Sequence, residues 1–336
     1  MLFRDEMMVE EIISNLYRIE VPLPGSPLKF INSYVIKDSY RNLIIDTGMN
    51  LEECMDVMQK SLSELGVDLE NTDFFITHCH GDHFGLVSRL VKDESIVYIN
   101  KVEADTIDII KSGGLFDDIE SIALMSGFPE KDIKDILSSL SKFEFRYRDF
   151  SPFRFVEDGD SLSIGDYQFR CVATPGHRKG HMCLYEANKR ILFSGDHLLG
   201  DITPGIQARY DNENPLQEYL LSLEKIYELD IELVLPGHRG IFRNFRERIK
   251  ELKGHHQDRA DEVISILGGG SMNAYYVASQ MTWNIMDCDT WDDSPSLQKY
   301  FATGEALAHL RYLEEKGIVR KETKEQWIIY SLNVRS

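Results

Sequence analysis

Residues 77 to 83 read Thr-His-Cys-His-Gly-Asp-His, which places three of the chain's ten histidines and one carboxylate in a single short window behind the apolar run Phe74-Phe75-Ile76. Imidazole and carboxylate together form a ligand set for zinc and its borderline neighbours. His78 and His80 are two apart on a chain leaving a strand, so they project to one side while Cys79 faces away. Gly81 permits a sharp turn, which lets Asp82 and His83 reach toward a second ion. Distant positions complete the set: His177 in Thr-Pro-Gly-His, Asp196 in Phe-Ser-Gly-Asp and His238 in Leu-Pro-Gly-His, with His181 close to the first of these. That is too many donors for one tetrahedral zinc. If His177 joins His78 and His80 on one ion, and His238 joins Asp82 and His83 on another, the two oxygens of Asp196 suit a bridge between them. Each ion then keeps a position for water, the mark of a catalytic rather than a structural site.

The chemistry expected of such a pair is hydrolysis by a hydroxide bridging two divalent cations about 3.5–4 Å apart, with no serine or cysteine nucleophile. Asp82 is the candidate to orient the nucleophile and relay a proton. His181 is either a donor to the developing oxyanion or a hydrogen-bonding member of its own turn. Asp46 is expected to accept the second N–H of a ligand imidazole. Zinc is the default cation by frequency, and iron or manganese would accept the same donors.

Every one of these donors has to be delivered by the end of an element. Alternating apolar positions predict strands over 16–21, 32–36 and 42–46 and a helix over 51–65, then a strand over 72–77 with a helix starting near His83. A second set of strands near 153–157, 161–164, 167–173, 182–186, 190–194 and 231–235 would present His177, Asp196 and His238 at strand ends. Between the two sets, three helices over 102–112, 115–125 and 130–140 are punctuated by Gly113-Gly114 and Gly127-Phe128-Pro129. Their apolar residues, Ile109, Ile110, Leu115, Phe116, Ile122, Leu124, Met125 and Phe128, suit either a wall over the metal cleft or an extra helical layer. Beyond Phe245 a long helix ends at Gly268-Gly269-Gly270, and a short helical segment starts at Ser271. An acidic, aromatic loop (287–294), a long helix (Pro295 to Lys316) and a hairpin (318–320 with 327–332) complete the chain.

In its order of strand, His-x-His-x-Asp-His and then isolated His, Asp and His, the chain resembles the metallo-beta-lactamase superfamily. Asp196 and His83 make the site look like the glyoxalase II and ribonuclease Z type, and none of the five cysteines stands where a ligand cysteine of the true beta-lactamases would. His181-Met182-Cys183-Leu184-Tyr185, the turn at Phe193-Ser194-Gly195-Asp196 and the stretch Leu310 to Val319 are similar to the lactamase-beta-like protein two group, hydrolases with a small winged-helix tail. The resemblance implies an α/β fold: an αββα sandwich over residues 1–250 with a helical insertion at about 102–147, followed by a winged-helix-like domain over 251–336. The acidic charge and the apolar helical insertion favour a small ester-type substrate, a thioester or lactone, while the resemblance and the tail it implies make single-stranded RNA the alternative. Glutathione thioesters are disfavoured, because the region that holds glutathione in glyoxalase II is replaced here.

Bulk properties narrow the choice. A net charge of −19 repels polyanions, which disfavours a nucleic-acid partner. The one basic run, Arg239, Arg243, Arg246, Arg248 and Lys250, reads best as a solvated face interspersed with Glu247 and Glu251. The last helix of the tail carries glutamates among its basic residues, so a structural or dimerising role fits it better than DNA recognition. No apolar stretch approaches the roughly 20 residues of a membrane span, Met1 to Glu6 is too charged for a signal peptide, and five scattered cysteines speak against a disulfide framework. A soluble, cytoplasmic protein acting on a small molecule, as a monomer or homodimer, is the expectation. Arg178, Lys179, Arg209 and Tyr210 lie in loops leaving the ligands and are candidates to fix a substrate anion. Ser194 and Thr174 are expected to shape turns, and Cys79 and Cys183 to fill space.

Overall fold

The computed structural model describes residues 9–140, 153–209, 213–283 and 290–333, and among them two compact units separate. The first takes 9–111, 153–204 and 225–246; the second takes the described parts of 112–144, 205–224 and 247–333. Tyr210, Cys288, Met1 to Glu6, part of the acidic loop and the end of the insertion fall outside the described residues, as does the side chain of Leu115.

The first unit contains two sheets. One runs β1 (Val9–Ile13), β2 (Leu16–Pro22), β3 (Phe30–Ile36), β4 (Asn42–Ile45), β5 (Thr72–Phe75), β6 (Val97–Ile99) and β7 (Phe153–Phe155) in sequential order. Its first four strands are antiparallel and β4 to β7 are parallel. The other sheet has the order β12-β11-β10-β9-β8, from β8 (Ser161–Ile164), β9 (Tyr167–Ala173), β10 (Met182–Glu186), β11 (Ile191–Gly195) and β12 (Leu233–Pro236), with only β11 and β12 parallel. Neighbouring side chains on a strand go to opposite faces, and the core divides accordingly. Phe75, Tyr34 and Ile45 meet Phe169, Leu184, Phe193 and Leu235 between the sheets. Phe74, Val35 and Ile44 turn the other way. There they meet Met55, Met58 and Leu62 of α1 (Glu52–Glu64) and Ala104 and Ile107, which belong to a later helix. Each of the buried Val, Leu, Ile, Phe and Met side chains contributes about 1.5–3 kcal/mol.

Helical content in this unit differs from expectation near the ligands. In place of one helix from His83 there are two single turns, α2 (Gly81–Phe84) and α3 (Val87–Leu90). The strand at 153–155 joins the first sheet beside β6, not the second set. β6, at three residues, is too short for an alternation to register, and nothing in the predicted 153–157 strand says which sheet it joins. After β6 comes α4 (Lys101–Ser112), which opens the predicted helical stretch.

The second unit holds α5 (Gly114–Ser126) and α6 (Glu130–Leu140), whose Ile119, Ala123, Ile133 and Ile136, with Phe128 of the turn between them, form a core with Tyr275, Leu297 and Tyr300. These apolar residues pack within the second unit. Gly127 stops α5 at φ +90°, and a Cβ there would sit 2.0 Å from the amide nitrogen of Asn273, so glycine is required on two counts. The chain continues through α7 (Pro215–Tyr227), shared between the units, to α8 (Phe245–Leu267), a two-residue strand β13 (Met272–Asn273), α9 (Ala274–Gln280), α10 (Ser296–Glu315), β14 (Val319–Lys324) and β15 (Trp327–Leu332). The strands pair antiparallel in the order β13-β15-β14. Asn273 caps α9 by accepting from the N–H of Tyr276 at 2.9 Å, so the helix starts three residues later than the sequence suggests. No described helix is long and apolar enough to cross a membrane.

Candidate metal centre

All the predicted donors converge at one end of the first unit, where the parallel strands finish. β5 ends at Phe75, two residues before Thr77; β11 ends at Gly195, next to Asp196; β12 ends at Pro236, two residues before His238. Carboxyl ends of parallel strands are where open sheets place their ligands. His78, His80, His177 and Asp196 form one group of donor atoms and Asp82, His83 and His238 a second, each within 4.8 Å. In the first, His80 Nδ1 lies 2.9 Å from His78 Nε2 and 3.1 Å from His177 Nε2. Nitrogens around one tetrahedral zinc at about 2.05 Å stand about 3.3 Å apart, so the spacing suits a shared cation. In the second, His238 Nε2 is 3.3 Å and His83 Nε2 3.9 Å from Asp82 Oδ2. Asp196 faces both groups: Oδ1 is 3.5 Å from His83 Nε2 and from His238 Nε2, and Oδ2 is 3.6 Å from His177 Nε2.

Outer hydrogen bonds decide which nitrogen each ring offers. His83 donates Nδ1–H to Asp46 Oδ2 at 2.7 Å, the partner expected from the sequence. Thr77 donates its hydroxyl to Asp46 Oδ2 at 2.8 Å and is therefore left to accept from His78 Nδ1 at 3.0 Å. His238 donates Nδ1–H to the Phe30 carbonyl at 3.1 Å. The loop carrying His238 is in turn held by the Asn32 amide, which donates to the carbonyls of Pro236 and Arg239, and by Tyr34 Oη, which donates to Pro236. Asp46 itself adopts φ +55°, a left-handed conformation that Asp tolerates better than most residues, and so turns its carboxylate back onto Thr77 and His83.

What remains is a set of buried polar atoms aimed inward. His83 Nε2, His238 Nε2 and Asp196 Oδ1 have no hydrogen-bond partner, although an unpaired buried polar atom costs about 1–3 kcal/mol. The electrostatics point the same way. Burial opposes charge on His83 and His238, yet Asp46, Asp82 and Asp196 outweigh it, holding His83 well above the usual imidazole range and lifting His238 to about 10. Burial also opposes charge on the carboxylates, and His238 and His83 reverse it, keeping Asp196 well below and Asp82 below the ordinary range. His78, buried among the other rings, is pushed well below its usual value and so stays neutral, as a ligand must be. The pocket demands positive charge and offers nitrogen and oxygen lone pairs, so its donors fit divalent cations.

Other expected roles sort differently. His181 is fully buried: the Asp196 N–H donates to its Nε2 at 3.2 Å, which leaves Nδ1–H for Thr174 Oγ1 at 2.8 Å. With both nitrogens engaged it fits the turn-holding alternative and has no free donor for an oxyanion. Gly195, at φ +47°, lets this ring approach, since a Cβ there would stand 2.7 Å from His181 Nε2. Ser194 donates to the Leu198 carbonyl at 2.7 Å and shapes the same turn. Cys54, Cys79, Cys171 and Cys183 are buried and form no disulfide. Arg178 is not a surface anchor for substrate: its side chain is 9% exposed and pairs with Glu103, because the carboxylate is buried beside it. The basic run is tied down within the fold, Arg243 to Glu232 at 2.9 Å, Arg246 to the carbonyls of Tyr227 and Leu229, and Arg248 to Glu251 at 2.9 Å. Glu103 went unread in the sequence, although a glutamate beside Ala104 and Ile107 on the buried face of α4 is a legible oddity.

Comparison with known proteins agrees with this architecture. The profile of the Metallo-beta-lactamase superfamily matches residues 27–238, and that of the Metallo-beta-lactamase-like, C-terminal domain matches 295–331. A crystal structure of a metallo-beta-lactamase family protein from Thermus thermophilus superposes with a TM-score of 0.81 at 27% identity, covering 96% of this chain and all of that one. The beta-lactamase-like protein 2 homolog of Caenorhabditis elegans is 24% identical over 77% of this chain and 73% of its own length. The human protein named acyl-coenzyme A thioesterase MBLAC2 is 25% identical over 68% of this chain and 79% of its own. Several fungal relatives are matched over only 61% to 66% of their length.

Proposed function

Because the chain belongs to the metallo-beta-lactamase superfamily and is a metallo-hydrolase, we propose that it cleaves a small ester-type substrate, a thioester in first place and a lactone in second, using two divalent cations, with zinc as the default. The observation that carries this reading is Asp196, whose two oxygens face two separate donor groups. His78, His80 and His177 would hold one cation, Asp82, His83 and His238 the other, with Asp196 shared. When bound, the cations supply Lewis acidity and lower the pKa of a coordinated water from 15.7 toward about 7. Asp46 and the Phe30 carbonyl fix His83 and His238 with Nε2 inward, so these rings need not reorient during turnover. Asp82, whose side chain is 22% exposed and whose carboxyl is held below the ordinary carboxylate range by His83 and His238, would orient the attacking water and relay its proton to the leaving group. His181 keeps the Asp196 backbone in place.

A thioester is preferred because the human relative is named an acyl-coenzyme A thioesterase, and because the acidic chain does not favour a polyanion. A winged-helix-like tail is proposed on the order α8-β13-α9-α10-β14-β15 with its three-stranded antiparallel sheet; a structural or self-associating role suits it, in a soluble, cytoplasmic protein whose acidic charge disfavours a nucleic-acid partner. The test is metal analysis of the purified protein together with a panel of acyl-coenzyme A thioesters, lactones, a phosphodiester and short single-stranded RNA. Two equivalents of cation with thioester cleavage is the expected result. Cleavage of RNA that persists at moderate salt, with thioesters untouched, would replace the acyl substrate by a nucleic acid.

A further inference from the structure

We propose that Glu103 and Arg178 form a positioning clamp that sets the geometry of the His78, His80 and His177 group selectively, a role that rests on the two-cation reading above. Glu103 lies in α4, outside every ligand-bearing loop, and is completely buried. Its Oε2 accepts the backbone N–H of Cys79, the residue between His78 and His80, at 2.9 Å, and its Oε1 accepts the N–H of Gly180, three residues after His177, at 2.9 Å. One carboxylate thus ties together the two loops that bring three imidazoles to a single point. Arg178 completes the clamp: Nε donates to Glu103 Oε2 at 3.3 Å and Nη2 lies 3.4 Å from Cys79 Sγ, so the charge is neutralised where it is buried and the guanidinium also touches the first loop. A buried carboxylate is retained only where such partners satisfy it. No bond of this clamp reaches Asp82, His83 or His238; of these, His83 and His238 are oriented by Asp46 and by the Phe30 carbonyl.

Glutamine cannot replace this carboxylate. Its amide has one acceptor oxygen for two backbone donors, and its NH2 would face an N–H. The inference therefore predicts that Glu103→Gln weakens one class of cation site and leaves the other. Zinc binding to metal-stripped full-length protein would be measured by competition with a chromophoric chelator, for wild type, Glu103→Gln, Arg178→Met and Asp46→Asn, with thermal melting alongside. The expected result is two sites in the wild type and about a 10–100-fold loss at one of them in Glu103→Gln, the range typical of removing an outer partner. Arg178→Met should lose less at that same site, since the two backbone bonds survive, and it serves if Glu103→Gln does not fold. Asp46→Asn should weaken chiefly the class that contains His83, with a smaller effect on the other through Thr77 and His78. Equal weakening of both classes in Glu103→Gln, or no change in either of the two clamp variants, overturns the clamp. A wild type that binds no zinc or only one equivalent overturns the two-cation reading instead, and so the two failures are distinguishable.

Discussion

In the first unit His83 and His238 are buried against Asp46, Asp82 and Asp196; in the second, His256 of α8 and His309 of α10 are buried against Tyr219, Arg259 and each other. Those carboxylates push the first pair toward the charged form. The second is driven the other way, His256 to about 2 and His309 to about 4, by burial first and then by neighbouring imidazole and arginine charge. His309 donates Nδ1–H to the Glu305 carbonyl at 2.9 Å, and its Nε2 stands 3.4 Å from His256 Nδ1, an arrangement that suits two neutral rings. The contrast shows that burial of histidine says little by itself. Carboxylates aimed at the rings are what make a cation site.

Removing the shared carboxylate should break that contrast most severely. Asp196→Asn leaves His83 and His238 facing each other without their common anion and is expected to cost more than the about 100-fold in cation affinity that marks loss of an outer partner, with hydrolysis falling in step; retention of two tightly bound equivalents by metal analysis would contradict it. Next in size comes Asp46→Asn, with about a 10–100-fold loss in affinity, read by chelator competition. In the second unit the effect is on stability. A histidine whose folded pKa is depressed is protonated first in the unfolded chain. Its stability contribution is therefore complete above about pH 6.5 and drains as pH falls, down to about 4 for His309 and about 2 for His256. The slope should reach about 1.4 kcal/mol per pH unit for each ring, about 2.7 for both. All three tryptophans, Trp283, Trp291 and Trp327, belong to the second unit, so urea unfolding followed by their fluorescence reports it. Smallest of all, His256→Leu at pH 7 should change stability by no more than about 1.5 kcal/mol, since a neutral ring gives way to an apolar group of similar volume, while flattening the acid slope by about half. A full slope in that variant would assign the titration to other groups.

The donor set was readable because the chemistry is local in type: imidazoles and a carboxylate cluster at 78–83, and each later donor follows Pro-Gly or Ser-Gly at the end of an apolar run. The strand-to-donor order carries the fold with it. Asp46, too, could be anticipated, since a ligand imidazole needs an acceptor. Other parts could not. β6 is too short to show an alternation, and the strand near 153–157 carries no sign of which sheet it joins. Glu103 is distant in sequence from both loops it joins, and Arg178 looks like a loop cation until its burial is known. His181 carries the same residue type as the donors and differs from them only in where its two nitrogens end.

Which side chains are offered as donors, and in what order strands present them, was already written along the chain, because ligand chemistry belongs to residue types and strand periodicity to near neighbours. Folding in three dimensions had to settle which nitrogen each ring turns inward and which carboxylate faces which ring. It also settled why His256 and His309 titrate opposite to His83 and His238. These properties depend on the charge and hydrogen-bonding groups brought within a few ångströms from distant positions, and no spacing along the chain encodes that distance.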